Sequence, residues 1–182
     1  MNRFNIRRCG DTNIPKVIWQ FWTDDNPLTK NRQCAIQYSR NNVPIEMRLL
    51  RNADIMKMQV KNHPFHPAYQ YLSGTHRADY LRCYFMHYYG GGYADIKFYS
   101  KDNNWAECFD ILKDNEDVIG IGQREIIGGS SIKEYNNPKD IERVIANCYF
   151  MFRPMSKFTQ QWIDELHEKL DKNFNGLKEC YP

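Results

Sequence analysis

The sequence predicts an α/β sandwich, and three observations carry that reading. Apolar and aromatic runs of strand length alternate with amphipathic stretches of helix length along most of the chain. At 182 residues and 42% hydrophobic, the chain is long enough for one sizeable core and reads as a single domain over residues 1–182. With only 10 Gly and 8 Pro, it is neither collagen-like nor low in complexity.

The elements follow in order. Met1 to Asn13 are polar and basic; then Ile14-Pro15 leads into KVIWQFW, whose β-branched and aromatic side chains suit a buried first strand. Thr23 to Pro27 is rich in turn and cap residues, which starts a helix near Leu28 that runs toward Arg40 and stops at Asn41-Asn42. Ile45 to Leu50 reads as the second strand, and Asp54 to Val60 as a short helix. Two prolines in His63-Pro64-Phe65-His66-Pro67 push the residues before them out of helical geometry, so a loop is expected there, followed by another short helix.

From Thr75 to Tyr89, Ala78, Leu81, Phe85 and Tyr88 recur at spacings of three and four, predicting a helix with a core-facing stripe and Thr75 as its N-cap. Gly90-Gly91-Gly92 ends that helix, because glycine accepts a left-handed backbone, and Tyr93 to Tyr99 reads as a strand. A helix at Trp105 to Leu112, strands at Val118 to Gln123 and Cys148 to Phe152, and an amphipathic helix from Lys157 to Asn173 complete the pattern. The polar stretch from Arg124 to Pro138 suits either a cover over a site or a surface excursion. Leu177 to Pro182 carry no stop signal, as expected where one module belongs to a larger parent.

Charge and cysteine usage narrow the function classes. Lys plus Arg number 25 against 22 Asp plus Glu, a balance of +3 that argues against the broad phosphate-neutralising surface of a nucleic-acid binder and makes any anion site local. No apolar run reaches the roughly 20 residues that cross a bilayer, so a soluble, cytosol-facing protein is expected. Cys9, Cys34, Cys83, Cys108, Cys148 and Cys180 are scattered without a close pair, and are expected to be reduced packing residues.

Chemistry concentrates in two neighbouring stretches, His76-Arg77-Ala78-Asp79-Tyr80-Leu81-Arg82 and Tyr89-Gly90-Gly91-Gly92-Tyr93-Ala94-Asp95-Ile96-Lys97. A carboxylate and arginines on a helix are joined through a glycine turn to a strand that ends in another carboxylate. Both sets can then converge on one anionic or sugar ligand.

Together with Ile14-Pro15-Lys16-Val17-Ile18-Trp19-Gln20, these stretches resemble, in order over roughly the first hundred residues, the DXD-type glycosyltransferases of GT-A fold with a glycosyltransferase sugar-binding region. The resemblance implies a GT-A-like, Rossmann-type open mixed sheet flanked by helices. It also implies transfer of a sugar from a nucleotide diphosphate donor, UDP-glucose or a similar UDP-hexose, to a glycan acceptor hydroxyl, as in polysaccharide biosynthesis. Such transfer requires a neutralised leaving diphosphate and sugar hydroxyls held while positive charge grows at the anomeric carbon.

The resemblance also implies roles. Trp19, with Gln20, Phe21 and Trp22, would lie at the nucleobase end, although a packed sheet wants the same aromatics. Asp79 would bind donor-sugar hydroxyls, with Arg82 one turn on and Arg77 assisting; the plain alternative is a surface ion pair three residues apart. Asn147 falls where the family places polar residues near the donor, and Asp79 and Asp95 are the expected catalytic pair.

Asp95 matches the first aspartate of the DXD pattern, which holds a manganese or magnesium ion on the donor phosphates, but Lys97 replaces the second. A protonated lysine cannot coordinate a cation. Three readings stay open: Asp95 alone anchors Mn2+ or Mg2+, the Lys97 ammonium neutralises the diphosphate instead, or Lys97 points to solvent.

The remaining candidates are weaker. His63 and His66 lie in a stretch whose two prolines, Pro64 and Pro67, break the helix that would align a zinc pair, and no cysteine lies nearby. Tyr84, Tyr88, Tyr89 and Tyr93 suit core, rim or sugar stacking. Asp117, Glu125 and Glu134 are candidate bases for an acceptor hydroxyl that no spacing distinguishes. The rival to catalysis is a binding module of the same fold that recognises a nucleotide sugar without turning it over.

Overall fold

A computed structural model describes residues 14–97, 104–124 and 145–180. They form one α/β domain around a five-stranded, mixed open sheet in the order β2-β1-β3-β5-β4. The interior strand β1 is Val17–Trp22; β2 is Glu46–Arg51, β3 Gly91–Ala94, β4 Gly120–Arg124 and β5 Ile145–Phe152. β1 runs parallel to β2 and β3, whereas β5 lies antiparallel to both β3 and β4. The helices are α1 Lys30–Asn42, α2 Asn52–Lys57, α3 Gly74–Tyr88, α4 Asn104–Asp114 and α5 Lys157–Cys180, with a 3-10 turn at Pro67–Tyr71.

Alternation along β1 divides the core in two. Val17, Trp19 and Phe21 face α3, where Leu81, Tyr84 and Phe85 are fully buried, and α5 closes this layer through Ile163 and Leu170. Ile18 faces the opposite side with Ala94, Met151 and the α4 residues Trp105, Phe109 and Leu112. Because β1 is interior and parallel, both its faces are covered, which is why its sequence reads as an unbroken apolar run. Trp105 also explains a glycine: a Cβ on Gly92 would sit 2.6 Å from the Trp105 ring.

The sequence-based order of strands and helices holds, with local corrections. α3 is capped by Ser73, whose Oγ accepts from the His76 N–H at 3.4 Å, and not by Thr75, which lies inside the first turn. α1 starts at Lys30 behind a Thr29 cap, α2 starts at Asn52, two residues before Asp54, and α5 runs on to Cys180. The third strand begins within the glycines and ends at Ala94, so Asp95 and Lys97 lie just beyond it. Gly90 (φ 67°) and Gly91 (φ 91°) turn the chain from α3 into β3; a Cβ on Gly90 would meet Pro154 Cδ at 2.5 Å. The placements of Tyr99, Glu125 and Glu134, and of the Arg124 to Pro138 stretch beyond Arg124, lie outside the described residues. Among the described residues no helix is long and apolar enough to cross a membrane, and Cys34, Cys83, Cys108, Cys148 and Cys180 are free thiols.

Candidate functional site

β1 and β3 run side by side and end at the same edge, but β1 leads outward to β2 while β3 leads toward the opposite half of the sheet. Such a switch point opens a crevice beyond the carboxyl ends of the strands. α3 returns antiparallel to the strands and so begins at that edge. The two sides are clasped there by the Thr23 hydroxyl, which donates to the Gly74 carbonyl at 2.7 Å. A cleft of about 490 Å3 results, lined by Trp22 at the end of β1 and Asp24 just beyond it, by Ser73, Thr75, Ala78 and Arg82 of the α3 side, by Arg32 of α1, and by Asp95 and Lys97 after β3.

Thr75, Ala78 and Arg82 are spaced by three and four, so one face of α3 looks into the cleft. Arg82 is the deepest of them, only 6% exposed. Its guanidinium pairs with Asp79, donates through Nη1 to the Asn147 carbonyl of β5, and lies 5.1 Å from the centre of the Tyr93 ring. Its Nε–H is buried without an acceptor. Tyr93 carries the chain of contacts onward: its hydroxyl donates to Asp95 Oδ1 at 2.6 Å, while Lys97 Nζ sits 3.2 Å from Asp95 Oδ2. Burial pushes the Tyr93 phenol well above its ordinary value; Arg82 opposes that shift and Asp95 reinforces it. Tyr93 is therefore a fixed hydrogen-bond donor to Asp95 at neutral pH.

Arg82, Asp95 and Lys97 thus line one cleft, and Asp79 joins them through its ion pair with Arg82 without lining the cleft itself; the other sequence-derived candidates are placed differently. Trp19 is 1% exposed, packs against Phe85 and Tyr89, and gives its indole N–H to the Gly90 carbonyl at 2.8 Å; this is a core residue with no ring face open to a nucleobase. Trp22, at the last position of β1, lines the cleft instead, held by a 2.7 Å bond from its indole to the Asn26 carbonyl. Gln20 is fully buried, its amide oxygen and nitrogen both unmatched, and it does not line the cleft. Arg77 turns away, donating to the Gln70 carbonyl at 2.7 Å over the Tyr69 ring, which makes it a tie between α3 and the 3-10 turn. Asn147 takes part through its backbone carbonyl; its side chain lines a separate groove beside Trp162.

Sequence reasoning missed Arg32, Asp24 and Ser73. Nothing in the periodicity of α1 distinguishes Arg32 from the helix's other polar residues. Ser73 could have been found, since Ser-Gly-Thr offers two caps and only the serine leaves Thr75 inside the helix. No protein-family model, curated protein or solved structure matches this chain. The chemistry of the cleft is therefore read from its own geometry.

That geometry does not fit a resident divalent ion. One Asp95 oxygen already accepts the Tyr93 hydroxyl and the other faces the Lys97 ammonium, so a metal would have to displace a cation from the only matching DXD carboxylate. The other carboxylate lining the cleft, Asp24, accepts from both the backbone and side-chain nitrogens of Asn26. Among the described residues no three His, Cys, Asp or Glu side chains gather as metal ligands. His63 and His66 are structural: His66 accepts from the Ala68 N–H at 3.1 Å and meets Asp171 at 3.0 Å, and His63 packs on Tyr88.

Proposed function

We propose that this domain is a glycosyltransferase of GT-A type that binds a nucleotide diphosphate sugar, a UDP-hexose such as UDP-glucose, in the cleft beyond β1 and β3. One observation carries the reading. Arg82 from the helix, and Asp95 and Lys97 just beyond the glycine-turn strand, line one crevice at the switch point between the parallel strands β1 and β3 of the mixed sheet, with an aromatic ring, Trp22, at its β1 side.

In this reading Trp22 offers the surface for the base, Lys97 and Arg32 face the diphosphate, and Asp79 with Arg82 meets the sugar hydroxyls. The bond between the anomeric carbon and the diphosphate oxygen breaks, and its electron pair leaves with the nucleoside diphosphate. The acceptor hydroxyl oxygen bonds to the anomeric carbon and its proton passes to solvent or to the departing phosphate. Cations fixed beside the leaving group stabilise charge as it develops, without reorganising at the moment of reaction.

Incubation of the full chain with a panel of nucleotide sugars tests this, because water can replace the acceptor. Slow release of free hexose from one donor, abolished in Asp95→Ala, is the expected result. Absence of both binding and hydrolysis for every donor would remove the proposal. Binding without hydrolysis or transfer would reduce the domain to a recognition module.

A further inference from the structure

Resting on the nucleotide-sugar reading, we infer that the donor diphosphate is held here by protein cations, Lys97 and Arg32, and that binding requires no divalent ion. Asp95 is engaged on both sides. Its two oxygens are divided between a buried phenol at 2.6 Å and an ammonium at 3.2 Å. A carboxylate in that position works as a bracket: it holds the Lys97 side chain over the cleft, where 63% of that side chain remains open to a ligand.

Arg32 supplies the second charge. It lines the same cleft from the first turn of α1, and its guanidinium makes no hydrogen bond or ion pair among the described residues. A planar guanidinium left without a carboxylate beside a polar cleft matches phosphate oxygens in pairs, whereas the lysine acts as a point charge. α3 adds to this field, since its first turn lines the cleft and the partial positive charge of a helix start favours an anion. Arg82 contributes from behind: its charge is fixed by Asp79 and the Asn147 carbonyl, and it supports Tyr93, which in turn supports Asp95. The position that resembles a metal ligand is thereby converted into a holder for the cation that stands in the metal's place.

The two arrangements give opposite signs for one substitution. If Asp95 held a metal, Asp95→Asn would lose diphosphate affinity. If Asp95 brackets Lys97, the amide still accepts from Tyr93, one negative charge leaves the cleft, and diphosphate affinity is kept or increased.

Calorimetric titration of the full-length protein with inorganic pyrophosphate, and separately with UDP-glucose, decides the matter when each is run in chelator and in manganese. The expected result is binding in chelator that agrees with the manganese value within about twofold, weakened about tenfold in Arg32→Gln and in Lys97→Gln, the size of one charge-assisted contact. Asp95→Asn should bind pyrophosphate at least as tightly as the parent in chelator. Binding that appears only with manganese, loss of pyrophosphate in Asp95→Asn, or no pyrophosphate binding under either condition would overturn the inference. Manganese-dependent binding and hydrolysis of UDP-glucose would leave the glycosyltransferase reading standing without it. Pyrophosphate bound in chelator, with no nucleotide sugar bound under any condition, would keep the cation assignment and remove the sugar reading.

Discussion

The two flanks of α3 treat buried polar groups in contrasting ways. On the flank facing the His63 to His66 loop, every hydroxyl discussed has a partner. Tyr84 accepts from the Val60 N–H at 2.8 Å and donates to the His63 carbonyl, Tyr80 accepts from the His66 N–H at 2.8 Å, and Tyr89, just past the helix, donates to the Met58 carbonyl. Burial raises all three phenols, Tyr89 to about 12, so they remain neutral hydroxyls, donating or accepting, that tie a proline-broken loop to the helix. On the cleft flank the groups are charged and stacked on one another; Arg82 Nε is unmatched, as Arg77 Nε is on the other side, but here Arg32 adds a guanidinium with no hydrogen bond or ion pair among the described residues. A satisfied neutral network holds a fold together, whereas a charged set with spare donors is arranged for something that arrives later.

The largest expected effect breaks the cleft side. Asp95→Ala and Asp79→Ala should each lower sugar transfer by at least about 100-fold, as loss of a fixed electrostatic partner does in other active sites. Asp95→Ala also leaves the buried Tyr93 hydroxyl without its acceptor, which should cost about 1–3 kcal/mol of stability while the protein still folds. Asp79→Ala leaves the buried Arg82 guanidinium without its carboxylate, so it is expected to cost more stability than the loss of a surface ion pair. Parent-like turnover in either variant, measured by product release, would place the chemistry elsewhere.

Tyr84→Phe sharpens the contrast from the other flank. It leaves the Val60 N–H without its acceptor and the His63 carbonyl without its donor, which should cost about 1–2 kcal/mol of stability by urea unfolding. Pyrophosphate affinity should not change. A variant of parental stability, or one with weakened anion binding, would show that the tyrosine flank is not the purely structural half.

How much of this was legible in the sequence follows the same division. The sheet and its helices could be read because apolar period and glycine position are local signals: KVIWQFW named the buried first strand, and Gly90-Gly91-Gly92 marked the turn into β3. Asp79, Arg82, Asp95 and Lys97 were legible as a group because they lie within nineteen consecutive residues, from Asp79 to Lys97. Trp19, expected ahead of Trp22 to contact the ligand, proved to be core, since both are strand tryptophans and only the position of the strand's end decides which one reaches the crevice. Arg32 was invisible because its place depends on how α1 leaves β1, a tertiary fact with no periodic trace. The same holds for Asn147, whose contribution is a carbonyl that any residue would supply.

The smallest expected effect is a pH dependence of stability from the layer behind the tyrosines. Burial lowers the pKa values of His87 and His167; nearby Asp164 pulls both the other way, and Asp171 does so for His167, without reversing the shift. His87 Nδ1 meets the Thr159 hydroxyl at 3.1 Å, and His167 Nε2 the Tyr80 hydroxyl at 3.2 Å, so each is held in the folded protein as a neutral ring. In the unfolded chain the same histidines take up protons near the ordinary value of about 6.5. Below that pH the unfolded state binds more protons, so the stabilisation is whole above about 6.5 and is lost as pH falls through the lowered folded-state values. Melting temperature should therefore hold steady from pH 8 to 7 and decline below about 6.5, with a shallower decline in His87→Gln, which can keep the hydrogen bond to Thr159. A decline equally steep in that variant would assign the proton uptake to His167, whose neutral form is tied to the tyrosine flank through Tyr80.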